Sequence, residues 1–210
     1  MNKKLNSGLA LILPNRKVNL FVIFIVILGI ISGSLFLMIL NNNDKTAVIN
    51  EINTFITNIN TNNINNLNSF KNSIIEGLIL IILSWILGMS IIGIIFNVFF
   101  IYIKSFTIGF SISSFILVYK YKGIIASLIY IVPSQLINIL IVILLGVYTI
   151  IFSKYLFKII FFKDKSINIG KFFKKYILIF GICIILCMIS SISEAYLVPS
   201  LLKVIIKLFI

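Results

Sequence analysis

The chain has 210 residues, 60% of them hydrophobic and only 11% charged, with a mean hydropathy of +1.19. These values exclude a soluble globular domain and indicate one all-α, polytopic integral-membrane domain spanning residues 1–210. The net charge of +13 does not point to nucleic acid. Most lysines stand in short segments beside apolar runs, where they act as topology signals and contact anionic lipid headgroups. The chain contains no histidine, which removes the commonest acid–base catalyst and the commonest metal ligand.

Residues 1–17 are basic, with Lys3, Lys4, Arg16 and Lys17 and no acid. An apolar run over 18–40 follows. It is longer than a signal-peptide core and lacks a small-residue cleavage site after it, so it reads as a retained first membrane helix. Within it Gly29 and Gly33 form a G-x-x-x-G pair, a motif that permits close helix packing. Residues 41–73 are the one sizeable polar stretch, rich in asparagine. Ile49, Ile52, Phe55, Ile56 and Ile59 recur there at helical spacing, predicting an amphipathic helix. Its stripe is a candidate docking surface for a partner or for lipid, or else packs on the protein's own helices.

Residues 74–119 form an apolar stretch about twice the length of one membrane crossing. It contains a single cation, Lys104, and is read as a helix over 74–103 followed by a short piece over 105–119. Lys104 then lies at a junction and snorkels to the interface. Glu76 falls in the first turn of the longer helix, where a carboxylate complements the helix dipole. After the step Lys120-Tyr121-Lys122-Gly123, a run over 124–152 is interrupted by Pro133, Ser134, Gln135 and Asn138. Residues 153–176 carry seven lysines against one acid, Asp164. A last run over 177–198 leads into the tail 199–210, where Lys203 and Lys207 share one face and predict an interfacial helix. Placing both the basic start and the lysine-rich segment in the cytoplasm requires an even number of crossings between them. The 105–119 piece must then cross. The result is about five membrane helices, with the N-terminus cytoplasmic and the C-terminus and residues 41–73 external.

Few residues can carry chemistry. There is no Ser-His-Asp or Cys-His set, and Gly88-x-x-x-x-Gly93 lacks the Lys-Ser/Thr of a phosphate loop. No enzyme activity, cofactor or metal is expected. Cys183 and Cys187, one helical turn apart, read as small buried hydrophobes. Glu194, in an apolar run beside a serine cluster, is an ionisable group near membrane depth and so a functional candidate, with a position at headgroup level as the alternative. Pro133 and Gln135 break a spanning helix, which marks either a pathway or a packing joint. Interhelical hydrogen bonds through Asn97 and Asn138 favour the joint.

Several segments together resemble the stage II sporulation protein M family of endospore-forming bacteria. They are Trp85-Ile86-Leu87-Gly88-Met89-Ser90-Ile91-Ile92-Gly93, Lys104-Ser105-Phe106-Thr107-Ile108-Gly109-Phe110, Tyr121-Lys122-Gly123, Val132-Pro133-Ser134-Gln135 and Ser193-Glu194-Ala195-Tyr196-Leu197-Val198-Pro199. The order and spacing of these pieces carry the resemblance, which covers nearly the whole chain. It implies a non-enzymatic membrane scaffold acting in the mother-cell membrane during engulfment. Such a scaffold holds two peptidoglycan-degrading partners, stage II sporulation proteins D and P. The residues singled out for interaction or packing are Glu194, Tyr196, Pro133, Gln135, Gly88, Gly93, Gly109 and Lys104. A homo-oligomer through the glycine faces is open. The rival reading is a transporter or permease subunit with a pathway near Pro133 and Glu194.

Overall fold

The computed structural model describes residues 15–61, 65–163 and 169–209. The basic start up to Pro14, Asp164, Lys165 and the side chain of Lys207 lie outside them. The described residues form helices and no strand. In chain order these are α1 (Arg16–Ile39), α2 (Asn42–Asn60), α3 (Asn66–Gly88), α4 (Gly93–Tyr130), α5 (Leu136–Phe162), α6 (Ile169–Ile192) and α7 (Val198–Phe209). Two π-helical turns, Ile131–Gln135 and Ser193–Leu197, join α4 to α5 and α6 to α7.

Four helical stretches are long and apolar enough to cross a membrane: Arg16–Ile39, Asn66–Gly88, Gly93–Phe162 and Ile169–Val204. The third has 70 residues and would reach about 105 Å if straight, but it doubles back at Lys120. There φ is 49° and ψ −123°, the conformation of the first central residue of a type II′ turn. Phe115 and Tyr130 therefore meet, with ring centroids 5.6 Å apart. A Cβ on Gly123 would collide with the carbonyl of Phe115, so only glycine fits at this crossing of the two limbs.

The chain break inside 74–119 differs from the sequence expectation. It falls at residues 89–92, and 105–119 continues the helix that starts at Gly93. The local chemistry explains the choice. Ser90 accepts the Gly93 N–H through its hydroxyl at 2.8 Å, and Ser153 donates to the Gly88 carbonyl at 2.8 Å, with the Ser90 carbonyl 3.0 Å away. Exposed turn polar groups are thus satisfied here, whereas a break at Lys104 would leave backbone groups open within the hydrocarbon. α3 also begins earlier than expected, at Asn66, where the Asn65 side chain accepts the Asn68 N–H at 3.2 Å.

α5 is the axis of the bundle. Its residues from Val147 through Ser153 are buried without interruption, which is why it is apolar on every side. One core forms where α3, α5 and α6 meet, around Ile81, Leu145, Tyr148, Phe152, Tyr176 and Cys183. The other joins α1, α4 and α5 through Val22, Val26, Ile101, Val142 and Val147. Both cysteines are free and buried, as expected. Outward faces remain strongly apolar; Phe24, Ile95 and Ile185 are each more than half exposed, the pattern of a surface solvated by lipid.

Gly29 and Gly33 do pack closely, against the first limb of α4 in the same chain. A Cβ on Gly33 would strike the Phe106 carbonyl, and one on Gly109 would strike Ile30. The approach is close enough for Ser34 to donate to the Gly109 carbonyl at 3.1 Å.

The α2 stripe is also used internally. Ile56 and Ile59 are buried with Phe115, Ala126, Val198 and Leu202, so they are not free to receive a partner. Val198 and Leu202 belong to α7, whose first turns pack against the protein. Their spacing of four puts both on the face that meets α2.

Candidate functional site

The two π-helical turns face each other across the bundle; Pro133 lies inside the first and Pro199 two residues beyond the second. Pro133 lacks an N–H and its ring crowds the carbonyl four residues back, so the α-helical ladder cannot close through it and the turn widens. Pro199 has the same effect just after Ser193–Leu197. Ser190, on α6, ties the two together: its hydroxyl donates to Asn138 Oδ1 at 2.9 Å and lies 3.1 Å from the Ser134 carbonyl. Ser134 and Ser190 are essentially inaccessible.

Between these turns and the helices α3 and α4 lies a cavity of about 240 Å³ with a polar lining. Glu194 projects from the second π turn and accepts a hydrogen bond from Ser73 Oγ at 2.9 Å. Gln135, from the first, donates to Tyr130 Oη at 3.2 Å, and its Oε1 faces Asn138 Nδ2 at 3.4 Å. Glu76 and Lys104 line the same space from α3 and α4, with Thr107 and Ser111. Lys104 and Glu76 lie about 17 Å and about 18 Å along their helices from the turn at residues 89–92, at 1.5 Å per residue. The cavity thus lies well away from that turn.

This placement corrects two sequence expectations. Lys104 is not at a junction, because the break lies at residues 89–92; it sits mid-helix, facing the cavity. Glu76 is not in a first turn, because α3 starts at Asn66, and its carboxylate serves the cavity instead.

The cavity opens into a wider vestibule of about 600 Å³ between α2, α3 and the α4 hairpin. Ser73, Glu76, Ser111, Tyr130 and Glu194 line both spaces. Ile52 and Phe55 of the α2 stripe form part of the vestibule wall, opposite Phe110 and Phe115.

Of the residues singled out from the sequence, Glu194, Gln135 and Lys104 come together here, and Pro133 shapes the turn that presents Gln135. The others lie elsewhere. Gly88 and Gly93 flank the turn at the far end of the bundle, Gly109 packs on α1, and Tyr196 is exposed, away from the cavity. Ile49 is half-buried on α2 outside the vestibule lining. Asn97 bonds with Ser84 Oγ at 2.6 Å, remote from Asn138. Sequence reading missed Glu76 as a site residue, along with Ser73 and Tyr130. The available signal for Glu76 was an acid inside an apolar run, obscured by the misplaced helix start.

No group of three potential metal ligands occurs among the described residues. The charges and amides of the cavity suit binding of a polar or charged group.

A family model described as Stage II sporulation protein M matches residues 20–199. That range takes in every residue of the cavity and vestibule. Neither the curated proteins nor the solved structures contain a match.

Proposed function

Because the chain belongs to the stage II sporulation protein M family, we propose that this sporulation-related membrane protein is a non-enzymatic scaffold. In this reading it holds peptidoglycan-degrading proteins, stage II sporulation proteins D and P, at the engulfing mother-cell membrane. The observation that carries the reading is the vestibule: a partly apolar recess at the α2 end of the bundle, connected to a cavity lined by charged and amide side chains. In this reading the reversal at Lys120 makes two of five crossings, and by charge parity the vestibule faces the outside, where cell-wall enzymes act.

The test is a crosslinking pull-down of the tagged protein from sporulating cells, with partners identified by mass spectrometry. Recovery of cell-wall hydrolases is expected. Recovery of an ATPase subunit or a small-molecule-binding protein instead would replace the scaffold with a transport reading. One observation favours that rival: Glu76, Lys104 and Glu194 line a cavity inside the helix bundle, as in many transport pathways.

A further inference from the structure

Acidic residues are scarce in this chain, yet three of the five, Glu51, Glu76 and Glu194, line the vestibule. Among the described residues no lysine or arginine lines the vestibule, although the whole chain carries a net +13. Deeper in, Lys104 is the single cation among the described residues that line the cavity. The described lining of the vestibule is therefore electronegative, and it attracts a cation.

The walls say which kind of cation fits. A bare metal ion needs a compact set of anionic ligands, which is absent among the described residues. An organic ammonium matches better: its three donors suit carboxylates and the hydroxyls of Ser73, Ser111 and Tyr130, and its apolar stem suits Phe55, Phe110 and Phe115. The cavity of about 240 Å³ is room for about eight water molecules at roughly 30 Å³ each, which accommodates an extended butyl-ammonium arm. The larger vestibule then holds what the arm is attached to.

We propose that vestibule and cavity form a receptor for a primary ammonium on an apolar stem, supplied as a lysine side chain in an apolar segment of a partner polypeptide. The chemistry of the site stands on the geometry; the polypeptide source rests on the scaffold reading. Glu76 and Glu194 receive the ammonium, the aromatic rings of the vestibule hold the flanking apolar side chains, and Lys104 opposes the incoming charge from below and limits how deep it goes.

The test is calorimetric titration of the detergent-purified full chain with N-acetyl-Leu-Lys-Leu-amide, its Leu-Gln-Leu counterpart and n-hexylamine. The lysine peptide is expected to bind at least about tenfold tighter than the glutamine peptide, as charge-assisted hydrogen bonds would give. Glu76→Gln and Glu194→Gln should each weaken it about tenfold. Lys104→Gln should tighten it, because a like charge is removed, and a misfolded variant could not produce such a gain. Equal affinity for the two peptides, or unchanged binding in both glutamate variants, overturns the receptor. Binding of n-hexylamine as tight as that of the lysine peptide overturns the polypeptide source in favour of a free amine. A cellular pull-down that recovers the same partners with Glu76→Gln/Glu194→Gln as with the unaltered chain leaves the scaffold standing and overturns its use of this receptor. A pull-down with no partner, alongside intact peptide selectivity, removes the scaffold and the partner-borne lysine together.

Discussion

Gly33 shows how a single absent side chain sets the distance between two helices. α1 and the first limb of α4 approach until backbone meets backbone, and any Cβ at Gly33 would fall on the Phe106 carbonyl. In lipid, where apolar burial does not drive helices together, such close contact and its hydrogen bonds hold the pair. Gly33→Leu is expected to part α1 from α4 and to cost about 1–3 kcal/mol or more, read as a lower midpoint in thermal unfolding in detergent. Lys120 presents the opposite case. It occupies a backbone conformation that favours glycine, so Lys120→Gly should stabilise the hairpin by about 1 kcal/mol, raising the same midpoint.

At the scale of elements, the two π-helical turns decide what enters the cavity. Each widened turn re-aims the residues around it: one presents Gln135, the other Glu194. The link between them is the Ser190 hydroxyl, buried against Asn138 and the Ser134 carbonyl. Ser190→Ala leaves buried acceptors without that donor and should cost about 1–3 kcal/mol, measurable by thermal unfolding while helix content by circular dichroism stays unchanged. Pro133, inside the first turn, and Pro199, just past the second, were visible as interruptions of apolar runs. That the interruptions would be π-helical and face one another was not, because the widening depends on which neighbouring helix supplies partners for the displaced carbonyls.

At the scale of the molecule, the expected orientation puts α2 outside and the lysine-rich start of α6 inside. Cysteine labelling tests this directly, since the native Cys183 and Cys187 are buried and contribute little background. Asn50→Cys, at an exposed position on α2, should react with an impermeant maleimide in intact cells. Lys174→Cys, also exposed, should react only after the membrane is opened. The reverse pattern would turn the vestibule toward the cytoplasm and remove its access to cell-wall enzymes.

Membrane residence, helical class and family were legible in the residues themselves, because they depend on local quantities: apolar run length, lysine placement and the wording of short segments such as Ser193-Glu194-Ala195-Tyr196. Glu194, Gln135 and Lys104 could be singled out for the same reason, as polar groups in apolar surroundings. Tertiary structure alone decided that these three share one cavity with Glu76. Placing them together requires the turn at residues 89–92, the reversal at Lys120 and the packing of α2 over the hairpin. Each is selected by contacts between residues far apart in the chain: Ser153 with Gly88, Phe115 with Tyr130, and Ile59 in the cluster around Leu202. Apolar periodicity carries no record of such partners, since in a membrane the lipid-facing and protein-facing sides of a helix are alike in hydrophobicity.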